Sequence, residues 1–352
     1  MRLSKSVKIG NKVIGNGSPI AIQSMTNTKT SDKQSTLDQI LRLAAAGCDI
    51  VRFTVNDEAA ADNIEYFAEN SPIPTVADIH FDYRLAVMAA ERGISKIRIN
   101  PGNIGSEDNI KKVVDACRKY SVPIRIGING GSLEKEILSK YGSPTAEALA
   151  ESALYHAGLL EKFGFGDVVL SVKSSDVSTM IRANRILADQ TDYPLHIGVT
   201  ETGDVRRGII KSAVGIGALV CDGIGDTLRV SLTDDPVKEI YTAKDILFAC
   251  GIGSGINIVS CPTCGRTKSD IISLVAELEQ KTSQIITSKR IDVAVMGCAV
   301  NGPGEARHAD IGVACGDGEG VLFKKGEIIT KIPEDRIIAV LIDEIKEMLN
   351  GN

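Results

Sequence analysis

The chain has 352 residues, of which 43% are hydrophobic, 24% charged and only 4% aromatic, with no tryptophan and a formal net charge of −5. That composition supplies a packed core for one large domain and a smaller one, and it argues against nucleic-acid partners, which call for a basic surface and stacking platforms. The opening stretch MRLSKSVKIGNKVIG holds no apolar secretory core, and no run reaches the roughly 18 apolar residues needed to span a bilayer, so the expectation is a cytoplasmic protein without a membrane partner.

In chain order, the first predicted strand is IAIQSM (20–25), followed by STLDQILRLAAAG (35–47). There Leu37, Ile40, Leu41 and Ala44 share one helical face and Gly47 supplies a stop. Seven more β-rich runs follow: IVRFTV (50–55), PTVADIH (74–80), KIRINP (96–101), PIRIGI (123–128), VVLSVKS (168–174), LHIGVTE (195–201) and TLRVSL (227–232). Segments of helical spacing separate them, among them SPTAEALAESALYHAGLLEKFG (143–164), which reads as a helix capped by Ser143 with Pro144 at its first position. Strand–helix alternation implies a parallel sheet, and eight units in about 250 residues predict an α/β fold closed as a (β/α)8 TIM-type barrel. An open doubly wound sheet is the weaker reading, since no G-x-G-x-x-G follows the first strand.

At ACGIGSGIN (249–257) the composition changes, and Gly251, Gly253 and Gly255 make a flexible join. Beyond it come a strand leading to a CxxC, a helix (269–281), the strand IDVAVMG (291–297), a Gly-rich loop, DIGVACG (310–316), a hairpin-like GVLFKKGEIITKI (320–332) and a closing helix (334–349). The predicted division is therefore a barrel over 1–250, a Gly-rich hinge at 251–256 and a small α+β domain over 257–352.

Four strands repeat one pattern: VRFT, IRIN, IRIG and LRVS. Residues two apart in a strand share a face, so Arg52 points with Thr54, Arg98 with Asn100, Arg125 with Gly127, and Arg229 with Ser231; SVKS adds Lys173 on the face of Ser171. Such cations either pair with acids in a polar barrel layer or converge near the C-terminal mouth, where a multiply charged anion such as a diphosphate is their economical partner. The same rim offers Asp78, His80 and Glu201, while His196, early on its strand, reads as buried. Asn103 and Asn129 follow their strands, where loop amides can hydrogen-bond a polar ligand.

Eight cysteines in a reducing compartment do not suggest a disulfide framework. Cys48, Cys117, Cys221 and Cys250 lie among apolar or small neighbours and read as small buried hydrophobes. For the rest, two completions compete. Cys261, Cys264, Cys298 and Cys315 would make an inert zinc site. Alternatively, Cys261, Cys264 and Cys298 hold an iron–sulfur cluster whose fourth iron takes an oxygen ligand, with Glu305 delivered by the Gly–Pro–Gly loop. The loop favours the second completion without excluding the first.

SCPTCGR, MGCAVNGPGEA, IQSMTNT, VADIHF and RINPGNIG together resemble the 4-hydroxy-3-methylbut-2-enyl diphosphate synthase family of isoprenoid-precursor biosynthesis. The likeness runs from the first strand to the closing helix, and the absence of a long insertion between the domains resembles the short two-domain bacterial form. The resemblance implies a 4Fe–4S cluster held by Cys261, Cys264, Cys298 and Glu305, making the second domain an iron–sulfur domain and leaving Cys315 out. It implies that Arg52, Arg98, Arg125 and Lys173, with Asn100, Asn103, Asn129 and Ser231, hold a cyclic diphosphate; Arg229 joins them from the strand pattern. Glu201 becomes the leading acid–base candidate, with Asp78 and His80 close by. The implied reaction is reductive ring opening and dehydration of 2-C-methyl-D-erythritol 2,4-cyclodiphosphate to the allylic diphosphate. Its two electrons come from ferredoxin or flavodoxin, because no flavin or nicotinamide motif is visible. The resemblance also implies a homodimer whose active site is shared between subunits. Two other classes stay open on the residues alone: a phosphate-ester barrel enzyme with a structural zinc module, and a non-catalytic cluster-bearing electron carrier.

Overall fold

The computed structural model describes residues 2–283, 285, 287–298 and 308–350. Its first element is a hairpin that the sequence pattern did not announce: β1 (Val7–Ile9) pairs antiparallel with β2 (Lys12–Ile14). Val7, Ile9 and Ile14 are buried against Ala21, Ile50, Val76 and Val169 of the barrel strands, so the hairpin plugs one end of the barrel.

Eight parallel strands follow: β3 (Ala21–Met25), β4 (Ile50–Thr54), β5 (Thr75–Asp78), β6 (Lys96–Ile99), β7 (Ile124–Asn129), β8 (Val168–Lys173), β9 (His196–Ile197) and β10 (Thr227–Leu228). They lie in the order β8-β7-β6-β5-β4-β3-β10-β9, and a parallel bridge from Leu170 to Leu195 brings the two ends together. This is the expected (β/α)8 barrel. Apolar residues on the outer strand face, such as Phe53, Ile97 and Ile126, are fully buried beneath the surrounding helices. The last two strands are shorter than their apolar runs. Gly198 lets the Arg229 carbonyl approach where a Cβ would stand, and the chain then turns through Glu201 at φ 53°, outside strand geometry.

Asp32, Asp57, Asp82, Asp176, Asp204 and Asp235 each accept a first-turn backbone N–H of the helix they precede, a cap worth about 1 kcal/mol. One predicted cap moves: the helix Ala146–Lys162 is capped by Thr145, whose Oγ1 accepts from Ala148 N at 3.2 Å. Ser143 instead accepts from Thr145 N through its carbonyl at 2.7 Å, so the Ser-Pro pair forms the turn before the helix. Cys48 and Cys117 are buried as expected, but Cys221 is exposed and Cys250 half-buried. Both lie at helix ends, where an apolar stripe runs out.

The chain divides into compact units at Met1–Cys250 and Gly251–Asn352. The second is α+β. Its sheet runs β11 (Gly255–Ser260), β12 (Arg290–Met296), β13 (Ile311–Cys315), β14 (Glu319–Lys324) and β15 (Glu327–Pro333), parallel across the first three and antiparallel thereafter. The helices Ile271–Thr282 and Ile337–Asn350 bury Ile271, Leu278, Leu341 and Ile345 against Val293, Val295, Ile311 and Val313. Each such side chain contributes roughly 1.5–3 kcal/mol. Among the described residues no helix is long and apolar enough to cross a membrane.

Candidate functional site

The parity that places Arg98 inside the barrel places Lys96 there too, one step nearer the plugged end, and the two are 8% and 0% exposed. Arg52, Arg125 and Lys173 are also buried on their strands, and Arg229 is largely so. Acids answer only part of this charge. Asp78 Oδ1 accepts from Arg98 Nη1 at 3.0 Å, and its Oδ2 lies 3.5 Å from Arg52 Nε. The same Arg52 Nε, together with Nη2, donates to the Met25 sulfur, at 3.2 and 3.0 Å. Arg229 has a carboxylate of its own: Nε and Nη2 each donate to Glu239 at 3.2 Å, and Glu239 also accepts from Ser24 Oγ and Leu232 N. Arg125, Lys96 and Lys173 pair with no carboxylate among the described residues. Arg125 keeps Nε and Nη1 buried without a partner, and Lys96 Nζ reaches only Gln23 Oε1, at 3.4 Å.

The electrostatics follow from that imbalance. Burial would raise the Asp78 carboxyl, but Arg52, then Arg98 and Arg125, outweigh it and hold it well below the usual carboxylate range. Burial, reinforced by the neighbouring cations, pushes Arg125, Lys96 and Lys173 well below their ordinary values, and Arg52 down to about 10 despite Asp78. Burial and then Arg125 likewise keep His196 neutral; its Nδ1 is 2.7 Å from Thr227 Oγ1, and its Nε2 is without a partner. A buried layer this rich in cations is costly alone and becomes favourable when a polyanion supplies the missing charge.

Gly127 makes room for this layer. Its carbonyl accepts from Arg98 Nη2 at 3.1 Å, and a Cβ at this position would overlap Arg98 Nε and stand 2.8 Å from Nη2. Gly127→Ala is therefore expected to push Arg98 off Asp78, costing about 1–3 kcal/mol of stability and weakening diphosphate binding about tenfold. Thermal unfolding and a pyrophosphate titration check this; an unchanged melting point with unchanged binding would remove Gly127 from the account.

Beyond the strand ends, the predicted polar residues divide. Asn100 is committed to structure: Oδ1 accepts from Gly102 N at 3.1 Å, capping the helix Pro101–Ile104, and Nδ2 donates to Ser132 Oγ at 2.7 Å. Ser132 Oγ in turn donates to the Asn129 carbonyl at 3.1 Å, linking the loops after β6 and β7. The Asn129 side chain is exposed, and Asn103 and His80 are half-buried. Glu201 is exposed on left-handed backbone, and its neighbour Thr202 donates from Oγ1 to the Ser231 carbonyl, joining the loops after β9 and β10. Lys96, Glu239 and a pair of buried His156 with half-buried Glu134 beside Gly102 were missed from the sequence. Only Lys96 carried a signal, the parity of KIRI.

In the second unit, β11 and β12 are adjacent and parallel with Ser260 opposite Val295, so Cys261 and Cys298 leave neighbouring strands at the same end. Gly297 N donates to Cys261 Sγ at 3.2 Å, and Lys268 N donates to the Gly297 carbonyl at 3.0 Å, drawing the CxxC loop back to that end. The backbone N–H of Arg266, aided by the Arg266 charge, holds the exposed Cys264 thiol below its ordinary value. Cys315 differs: it packs in the apolar core, and burial pushes its thiol up to about 11. Among the described residues no three His, Cys, Asp or Glu side chains stand close enough to share a single metal ion. A cluster instead spreads its thiolates over several irons, and N–H groups aimed at sulfur suit that chemistry. Glu305 lies outside the described residues.

The sequence pattern of the GcpE TIM-barrel domain matches residues 4–244, and that of the GcpE protein C-terminal domain matches residues 257–347. The 4-hydroxy-3-methylbut-2-en-1-yl diphosphate synthase (flavodoxin) of Caldanaerobacter subterraneus is 55% identical, the match covering 99% of this chain and 98% of the relative. Proteins of the same name from Fusobacterium nucleatum and Clostridium perfringens are 54% and 56% identical, over 99% and 97% of this chain and 97% and 98% of theirs. Among solved structures, a dihydropteroate synthase from Yersinia pestis superposes with a TM-score of 0.50 at 11% identity, covering 70% of this chain and 98% of its own. An N-acetylneuraminic acid synthetase from Leptospira borgpetersenii does so with a TM-score of 0.50 at 13% identity, covering 81% and 99%. At these identities the likeness is one of fold alone.

Proposed function

The chain belongs to the GcpE family, and from that premise we propose that it catalyses the reductive ring opening and dehydration of 2-C-methyl-D-erythritol 2,4-cyclodiphosphate to 4-hydroxy-3-methylbut-2-enyl diphosphate. The observation that carries the substrate class is the buried layer in which Arg125 and Lys173 lack a carboxylate while Arg52 and Arg98 share one. A diphosphate supplies the missing negative charge, and charge-assisted hydrogen bonds from a rigid barrel orient it. Asn103, Asn129 and Ser231 then contact the polyol part from the mouth, while Asn100 holds the loops that carry them.

Proton handling falls to Glu201 and His80. An Asp78 carboxyl held far below neutrality has no proton to give, so its part is that of counter-ion to Arg52 and Arg98. Glu201, exposed on strained left-handed backbone, is placed to protonate a departing hydroxyl or to orient it.

Cys261, Cys264 and Cys298 would hold a 4Fe–4S cluster, with Glu305 as a replaceable oxygen ligand at its fourth iron. When bound, the cluster supplies the two reducing electrons one at a time, drawn from flavodoxin, the donor that the relatives' names carry. The N–H groups around Cys261 and Cys264 support that assignment by stabilising negative sulfur. Gly251–Ile256 serve as a hinge between the barrel and this cluster-bearing unit. The working molecule is a cytoplasmic homodimer whose second unit serves the barrel of the other chain.

The test is iron, sulfide and zinc analysis of protein purified without air, with turnover of the cyclodiphosphate under reduced flavodoxin. About four irons and four sulfides per chain, with turnover, are expected. Glu305→Ala should keep its iron and lose at least ~100-fold in turnover. Zinc in place of iron, or an iron-free protein that still turns over, overturns the reading.

A further inference from the structure

Outside both sites stands a pair of thiols. Cys221 ends the helix Val205–Cys221, and Cys250 caps the helix Pro236–Ala249, at the last residue of the first unit. Cys250 Sγ lies 3.8 Å from the Gly217 carbonyl oxygen, and a Cβ on Gly217 would stand 3.7 Å from that sulfur. Gly217 is one turn before Cys221, and a helical side chain covers the turn N-terminal to its own Cα. The Cys221 thiol, one turn on from the carbonyl that Cys250 Sγ faces, is thereby brought over the place that Cys250 occupies. The two sulfurs differ in access: Cys221 is exposed and Cys250 half-buried. Burial, and then the Cys221 thiol, push Cys250 up to about 11, so Cys250 is the thiol that attacks second.

We propose that Cys221 and Cys250 form a reversible dithiol–disulfide couple, closed by low-molecular-weight disulfides, at the helix end from which the chain passes into its second unit. The Cys221 thiolate attacks one sulfur of the small disulfide, forming a mixed disulfide and releasing one small thiolate. Cys250 then gives its proton to solvent and attacks the Cys221 sulfur, which forms the Cys221–Cys250 bond and expels the second small thiolate. Two protein thiols are oxidised and one small disulfide is reduced to two thiols; a dithiol reverses the exchange. The bond would fix the helix end that precedes Gly251, whose φ of 79° begins the glycine-rich join. The couple is independent of what the barrel binds.

The experiment is to incubate the anaerobically prepared holoprotein with oxidised glutathione, alkylate the remaining thiols and analyse the peptides by mass spectrometry. Expected are a linked pair of peptides carrying Cys221 and Cys250, two hydrogens lighter than the separate thiols, and full alkylation after dithiothreitol. In Cys250→Ser, glutathione should accumulate on Cys221; in Cys221→Ser, Cys250 should stay an alkylatable thiol. A stable glutathione adduct on Cys221 of the unaltered chain with Cys250 still alkylated, or no reaction at either thiol, overturns the couple.

Discussion

Arg125→Met should raise the unfolding midpoint of the barrel while stripping it of diphosphate affinity. Arg125 is 1% exposed, its Nε and Nη1 have no partner, and its charged neighbours Arg52 and Arg98 repel it. Replacing a buried, poorly compensated charge by an apolar side chain of similar reach is commonly neutral or stabilising by about 1–4 kcal/mol. The same change removes donors that meet an anion away from water, a loss of about 2–4 kcal/mol, or roughly 30- to 1000-fold in binding. Opposite signs in the two measurements are the signature of a side chain kept for its ligand. Differential scanning calorimetry and pyrophosphate titration read them separately, and a destabilised variant that binds normally would return Arg125 to the structural network. The variant also reports on subunit sharing: mixed with Cys298→Ala chains, it should regain part of the turnover that neither has alone, and no recovery counts against a shared site.

The alternation of strand and helix made the barrel legible, and strand parity made its cations legible, because both are local rules of backbone geometry. What parity cannot reveal is the partner. Arg229 looked like one more free cation, yet it is held by Glu239, a helical residue whose sequence neighbourhood is that of any surface acid. Asp78 looked like a rim acid available for proton transfer; only the placement of Arg52 and Arg98 on the flanking strands shows that it is a counter-ion. The plugging hairpin was missed because each of its strands is too short for periodicity to register. Cys221 and Cys250 misled for a related reason: their apolar neighbours are the tail of a helical stripe, while Cys221 is the last residue of its helix and Cys250 the cap of the other.

Asp78→Asn should be the most damaging single change in the barrel layer, by about 3–5 kcal/mol, because it leaves two buried guanidinium groups without their shared carboxylate. For a unit of this size that is about 6–20 °C in unfolding midpoint. The pH dependence has a definite sign. The folded carboxyl lies below its unfolded value of about 3.9, so its contribution is complete above that value and is lost as pH falls through the folded one. The gap between the unaltered chain and Asp78→Asn should therefore stay constant near neutrality and narrow below about pH 4. An added anion acts in the opposite direction. Pyrophosphate brings the negative charge that the variant lacks, so it should raise the variant's midpoint more than that of the unaltered chain, beyond the mass-action stabilisation common to both. A variant that melts with the unaltered chain at pH 7, or that pyrophosphate does not favour, would mean that Arg52 and Arg98 draw their compensation from somewhere other than Asp78.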